Sequence, residues 1–300
     1  MAMEVRRRKT QAALVSIVSN CSLTAIKLFA AIISGSVSAL SEAIHSCGDV
    51  IASLLAWISV RVSDKPADEE HPFGHGKAES LAGLAEACLL VVAGCYVFYE
   101  AVQRVRKPEP LDVGLAFWAI LATGIVNIFV SRFVRRVAVE TDSDALRADA
   151  AHLTADVVTT AGVLVGLGLV WWTDNHLFDS LVALLLTVWI FCTAIRIGWK
   201  SSVVLLDSAL PENEIAIVRN ILELHSKILG FHQLRTRKSG SHRHIDAHIQ
   251  LDDEFSLVEA HEITEEIEDQ IRDALPNVSI ALHMEPYRWE IAHRAEKHKD

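Results

Sequence analysis

The chain of 300 residues is 51% hydrophobic and has a formal net charge of −10, and its mean hydropathy is +0.29. This composition is too apolar for an ordinary water-soluble protein of the same length, and it predicts a membrane protein with a polar part attached. The acidic balance argues against nucleic acid as a partner.

Six apolar segments of transmembrane length follow one another between residues 12 and 205. Val113–Ser131 and Ser180–Ile195, the centres of the fourth and sixth segments, contain no charge. The other four segments carry ionisable residues, which are costly in hydrocarbon and usually face a bundle interior or a water-filled cavity. We interpret Lys27, Glu42 and Glu86 among them as members of structural ion pairs, and the alternative is that they line the cavity. The sequence therefore predicts six transmembrane helices within residues 1–206, at approximately 12–34, 40–60, 80–103, 112–134, 150–172 and 179–205.

Lysine and arginine are distributed unequally between the two sides of these spans. They are frequent at the start of the chain, after the second and fourth spans and near the end of the sixth, whereas the other side has only Arg104, Arg106 and Lys107. The positive-inside rule then places both termini in the cytoplasm. The basic start MAMEVRRRK leads directly into the first span, so we expect no cleaved signal peptide.

Two apolar spans share the pattern His-x-x-x-Asp. One is "HSCGD" at His45–Asp49, and the other is "HLTAD" at His152–Asp156. Residues four apart lie on one face of a helix, so two facing helices would bring two imidazoles and two carboxylates together. This ligand set suits tetrahedral Zn²⁺, and a divalent cation would compensate the buried carboxylates. The alternative is that these groups make helix–helix hydrogen bonds or form a proton relay without metal.

The segment between the second and third spans, "DKPADEEHPFGHGKAES", contains a further set of candidate ligands. Asp68, His71 and His75 lie within eight residues, and the neighbouring glycines permit the tight turns that would bring them together. This segment is either a second metal site or a solvated acidic loop with surface histidines.

The cysteines argue against a disulfide framework and against thiolate metal sites. None of them belongs to a CxxC pair, and none lies in the polar tail. We interpret all five as small, buried core residues of the spans: Cys21, Cys47, Cys88, Cys95 and Cys192.

Residues 207–300 have the composition of a separate small domain that handles cations. They contain nine of the fourteen histidines, with 19 acidic and 11 basic residues. Their pattern predicts the order α-β-β-α-β, in which helices cover one face of a sheet as in ferredoxin-like or metallochaperone-like domains. In "SHRHIDAHIQLD" polar and apolar residues alternate, so His248 lies opposite the core, and His283 and Glu285 share a strand face.

The stretch "HPFGHGKAES", together with the paired intramembrane motifs, resembles the cation diffusion facilitator family over almost the whole chain. In particular, it is similar to the bacterial zinc and ferrous-iron efflux pumps. The resemblance implies a homodimer in the lipid bilayer that exchanges a cytoplasmic divalent cation for external protons by alternating access. It also implies that residues 207–300 form a cytoplasmic metal-binding regulatory domain.

The resemblance further assigns three groups of metal ligands and one charge pair. The transport site corresponds to His45, Asp49, His152 and Asp156. The loop site corresponds to Asp68, His71 and His75. The two-metal site at the dimer interface of the tail corresponds to His232, His248, His261, His283 and Glu285. The charge pair that ties the membrane domain to the tail corresponds to Lys77 and Asp207.

The set His-Asp-His-Asp is similar to that of the animal zinc transporters, and it favours zinc. Glu285 stands where the family usually has Asp, and Met284 stands where a polar residue would help. We therefore expect a secondary active transporter that exports Zn²⁺ for protons and binds Zn²⁺ at regulatory sites. The alternatives are Fe²⁺, Cd²⁺ or Mn²⁺ as the main cargo, or a membrane metal sensor that does not transport. A metalloenzyme is disfavoured, because four protein ligands leave no open coordination position.

Overall fold

The computed structural model describes residues 2–34, 37–106, 115–173 and 177–288. Within these residues the chain forms eight α-helices and three β-strands. They belong to two compact units, residues 1–203 and residues 204–300.

The first unit is built from six long helices, one for each predicted apolar segment. They are α1 (Ala2–Ser34), α2 (Val37–Ser63), α3 (Lys77–Arg106), α4 (Leu115–Glu140), α5 (Asp144–Thr173) and α6 (Leu177–Leu205). Among the described residues, α1, α2, α3 and α6 contain stretches that are long and apolar enough to cross a membrane. That all six helices cross it therefore stays a prediction.

The polarity of this helical unit is inverted relative to that of a water-soluble protein. Large apolar side chains such as Phe29, Val92 and Trp199 are exposed, while Asn20 and Asp149 are buried. This arrangement suits a lipid environment, in which polar groups turn toward the protein interior. The interpretation of the cysteines as buried residues is wrong, because the side chains of all five are exposed on this outer surface.

Helices α1, α3 and α5 begin at the same end of the unit, where a buried carboxylate connects them. Glu79 at the start of α3 is fully buried and accepts hydrogen bonds from Lys9 Nζ on α1 (3.0 Å) and Ser63 Oγ on α2 (3.0 Å). It also accepts hydrogen bonds from Ser143 Oγ (2.7 Å) and from the backbone N–H of Asp144 (2.8 Å), where α5 begins. We call these five residues the Glu79 network, and the end of the bundle where they lie the charged end.

The second unit confirms the predicted order α-β-β-α-β. It consists of α7 (Glu212–Leu224), β1 (Gly230–Ser239), β2 (His242–Leu251), α8 (Leu257–Ala274) and β3 (Val278–Pro286). The sheet order is β1-β2-β3, with β2 antiparallel to β1 and parallel to β3. Helix α8 provides the crossover that two parallel neighbouring strands require.

Alternation along β2 separates the apolar core of this unit from a polar sheet face. Ile245, Ala247 and Ile249 are buried in one cluster with residues of α7 and α8. Met284 on β3 packs against the same cluster, so it lies on the opposite face from the histidines, as the alternation predicts. The face opposite the helices is therefore left for polar side chains.

Candidate metal centres

The first candidate centre lies between α2 and α5, within the helical unit. Asp49 on α2 faces His152 and Asp156 on α5, and ligand atoms of the three side chains lie within 4.8 Å of one another. His152 Nε2 is 3.2 Å from Asp49 Oδ1. His152 is buried and the two carboxylates are partly buried. We call this group the intramembrane centre.

His45, the fourth residue assigned to this centre, has a side chain outside the part of the chain that the structure describes. It precedes Asp49 by one turn within α2, and residues four apart in a helix share a face. Its participation in the intramembrane centre stays a prediction.

Two further residues, which the sequence analysis did not identify, hold the backbone of this centre in place by hydrogen bonds. Asn20 on α1 is buried, and its Nδ2 donates hydrogen bonds to the backbone carbonyl of Asp49 (3.3 Å) and to Ser53 Oγ. Ser53 Oγ in turn donates to the same Asp49 carbonyl at 2.8 Å. These bonds hold the turn of α2 from which the Asp49 carboxylate extends. In the sequence, the only indication of their role is that Asn20 and Ser53 are polar residues within otherwise apolar spans.

The chemistry of the group suits a divalent cation. Zinc binds imidazole nitrogen and carboxylate oxygen at about 2.0–2.2 Å, so ligand atoms within 4.8 Å of one another need only a small contraction around an ion. Two carboxylates in a bundle interior repel each other and are poorly solvated, and a dication relieves both costs.

The second candidate centre lies in the loop between α2 and α3. Asp68 Oδ1 is 3.3 Å from His71 Nδ1, and Asp68 Oδ2 is 3.4 Å from His75 Nε2. Gly74 has φ +78°, the left-handed conformation that glycine adopts readily, and it reverses the chain between the two histidines. The backbone N–H of His71 donates to Asp68 and lowers the pKa of its carboxyl group below the ordinary value. The loop thus presents an ionised carboxylate between two imidazoles.

The third candidate centre lies on the polar face of the sheet. Glu285 on β3 contacts His232 Nε2 at 2.7 Å and His248 Nδ1 at 2.6 Å, and ligand atoms of the three lie within 4.8 Å of one another. His283 is adjacent: its ring centroid is 4.7 Å from that of His248, and its Nε2 is 3.9 Å from Glu285. His261 is separate from this group, exposed on α8 and 3.5 Å from Glu265. We call His232, His248 and Glu285 the sheet centre.

Strand register explains why these histidines meet. His248 in the middle strand pairs with His232 on one side and with His283 on the other, so the three form a row across the sheet. An irregularity in β1 follows His232 and includes Gln233 at φ +51°. Partial burial raises the pKa of Glu285, but the hydrogen bonds with His248 and His232 outweigh it and lower the pKa below the ordinary value.

We expect the change Glu285→Ala in the full-length protein to weaken zinc binding at the sheet centre. The affinity should fall by at least about a hundredfold, since even outer-shell partners of metal ligands are worth about 10–100-fold. Equilibrium dialysis should count one zinc ion fewer per protomer at low micromolar zinc. Glu223→Ala removes an exposed carboxylate of α7 and should leave the count unchanged. An unchanged count in Glu285→Ala would show that Glu285 is not a ligand.

The predicted charge pair of Lys77 and Asp207 joins residues of different units, and it stays a prediction. Lys77 is the first residue of α3. Asp207 follows α6 in the second unit, where its Oδ1 is 3.3 Å from Arg237 Nη1.

The chain matches two family models in succession. The model described as "Cation efflux transmembrane domain" matches residues 13–206, and the one described as "Cation efflux protein, cytoplasmic domain" matches residues 210–287.

Curated relatives are similar over most of their length. A cation-efflux pump FieF of Yersinia enterocolitica is 38% identical over 88% of each chain, and one of Cronobacter sakazakii is 38% identical over 93% of each chain. Among solved structures, the metal-bound C-terminal domain of the CzcD transporter from Thermotoga maritima is 24% identical, with a TM-score of 0.24, over 25% of this chain and 88% of that one. On the family models and the curated relatives, this protein belongs to the cation efflux, or cation diffusion facilitator, family of membrane transporters for metal cations and is not an enzyme.

Proposed function

We propose that this protein exports Zn²⁺ from the cytoplasm in exchange for protons by alternating access. The observation that carries the proposal is the intramembrane centre. It places two carboxylates and an imidazole within 4.8 Å of one another, between helices whose outer surfaces are apolar. In a transporter, such a group would bind a cation inside the bundle by replacing part of its hydration shell.

Proton exchange follows from the chemistry of the same ligands. Imidazole and carboxylate bind a metal only when they are deprotonated, so protons and zinc compete for one set of atoms. An unperturbed histidine titrates near pH 6.5, so a modest pH difference across the membrane shifts the competition. Zinc then binds on the more alkaline side and is released on the more acidic one. His45, one turn from Asp49, would complete a set of four ligands.

In the proposed orientation, the protein lies in the inner membrane of a bacterium. The charged end, both termini and the tail then face the cytoplasm. Basic side chains are concentrated near this end, which agrees with the positive-inside rule. Residues 207–300 would act as a regulatory domain that binds zinc at the sheet centre. We further propose a homodimer, in which His261 and His283 contribute to a metal site between the two tails. The loop site would bind zinc close to the start of α3.

The cargo is tested by flux into proteoliposomes with an imposed pH gradient. Wild type should accumulate Zn²⁺ only while the gradient is present, and a proton ionophore should stop the uptake. His45→Asp should gain flux of Cd²⁺ or Mn²⁺ relative to Zn²⁺, because an oxygen-rich ligand set is less selective for zinc. Faster flux of Fe²⁺, Cd²⁺ or Mn²⁺ than of Zn²⁺ in wild type would overturn the assignment of zinc. An absence of flux for every cation would favour a membrane metal sensor.

A further inference from the structure

Two buried carboxylates of the helical unit belong to none of the three candidate centres. Glu86 on α3 and Asp149 on α5 are both fully buried. Both carboxylate oxygens of Glu86 and Oδ2 of Asp149 have no hydrogen-bond partner among the described residues. Asp149 Oδ1 accepts a hydrogen bond of 3.1 Å from Ser16 Oγ on α1. The interpretation of Glu86 as a member of a structural ion pair is thus not supported by a partner within the described part of the chain.

The Glu79 network fixes the depth of these residues. Counted from that network, Ser16 lies seven residues beyond Lys9 on α1, Glu86 lies seven beyond Glu79, and Asp149 lies six beyond Ser143. All three helices start at the charged end and rise about 1.5 Å per residue, so the three side chains lie about 9–10.5 Å deeper, at nearly one level. In agreement with this register, the carboxylates of Glu86 and Asp149 interact electrostatically.

This level lies between the charged end and the intramembrane centre. Asp149, His152 and Asp156 are spaced by three and four residues along α5, so they share one helix face, and Asp149 is the nearest to the charged end. Glu86 also interacts electrostatically with His152. The Nδ1 atom of His152, on the side of the ring away from Nε2 and Asp49, is buried without a hydrogen-bond partner among the described residues.

We propose that Glu86 and Asp149, with the hydroxyl of Ser16, form an intermediate binding site for a divalent cation on its way between the charged end and the intramembrane centre. Unpartnered carboxylates in a bundle interior are among the most costly groups a protein can bury, and a passing dication offsets that cost. The direction of passage, inward from the cytoplasm, rests on the proposed function.

The chemistry of the site suits transit rather than storage. Its ligands are all oxygen, which zinc binds less strongly than a set that includes imidazole. A cation retaining some of its water would occupy the site weakly and pass to the imidazole of His152, about one turn deeper. Conduction through several sites requires each of them to release the ion as well as bind it.

The test compares Glu86→Gln and Asp149→Asn with wild type in two measurements, Zn²⁺ flux into proteoliposomes and zinc bound per protomer in detergent. Both amides keep the shape of the side chain and remove its charge. We expect flux to fall about tenfold or more, the scale on which partners in a metal site act. At saturating zinc the double variant Glu86→Gln/Asp149→Asn should bind one ion fewer per protomer. Glu100→Gln, farther along the same helix, should match wild type.

The outcomes separate this proposal from the proposed function. An absence of flux in wild type contradicts the transporter and leaves the binding count to decide the site. Wild-type flux in both single variants, together with an unchanged count in the double variant, overturns the intermediate site. A changed pH profile of transport with an unchanged count also overturns it, because the pair would then bind protons rather than metal. Misfolding is detected separately, as loss of the monodisperse peak in size-exclusion chromatography.

Discussion

Replacing Asp49 by alanine is expected to abolish zinc flux in proteoliposomes. Among the described side chains of the intramembrane centre, Asp49 is the one that α2 supplies. Its Oδ1 is 3.2 Å from His152 Nε2. Losing a metal ligand should cost more than losing an outer-shell partner, which already lowers metal affinity or activity by about 10–100-fold. The measurement is initial Zn²⁺ uptake under a fixed pH gradient.

The matched control for this change is Glu140→Ala. Glu140 is an exposed carboxylate of α4 that pairs with Arg8 and Arg136 at 2.9 Å each. Exposed ion pairs contribute little, about 0–1 kcal/mol, so this variant should fold and transport as wild type does. If Asp49→Ala transports zinc at the wild-type rate, the paired His-x-x-x-Asp motifs are structural and the proposed function is wrong.

Replacing Glu79 by alanine is expected to destabilise the helical unit as a whole. Glu79 accepts hydrogen bonds from α1, from α2 and from the start of α5, and its removal leaves Lys9 buried without this carboxylate. Breaking a buried pair by deleting one partner costs about 3–5 kcal/mol. At about 2–4 °C per kcal/mol for a unit of this size, the Tm in detergent should fall by about 10 °C.

A second variant separates charge pairing from helix capping at this position. In Lys9→Met/Glu79→Gln both charges of the broken pair are removed, so part of the lost stability should return. The return should be incomplete, because the amide accepts hydrogen bonds from Ser143 Oγ and the Asp144 N–H more weakly than a carboxylate does. Glu69→Ala, which removes an exposed loop carboxylate, should leave the Tm unchanged. Equal Tm values for Glu79→Ala and wild type would show that the network contributes no stability.

Local periodicity accounts for what the sequence alone determined. Apolar runs predicted six long helices, and strict alternation predicted that Ile245 and Ile249 on β2 face the core while His248 faces away from it. The spacing of four residues placed each histidine on the same helix face as its aspartate. These properties depend on the geometry of one helix or one strand, which is the same in any protein.

Tertiary packing decided which of these local features meet. Only the contact of α2 with α5 brings Asp49 to His152, and only strand register aligns His232 with His248 while His261 stays apart on α8. Each of these contacts depends on the relative placement of two elements, which no spacing within one element specifies.

The same reason explains what the sequence did not reveal. The sequence showed no partner for Glu79, because Lys9 and Ser143 are 70 and 64 residues away along the chain. It also gave no reason to group Glu86 with Asp149, because their common depth appears only when α3 and α5 are aligned at the charged end. The outward position of the cysteines was missed because helix composition does not specify which face meets the lipid. Residue spacing thus determined the faces of single elements, and packing in three dimensions determined the sites between them.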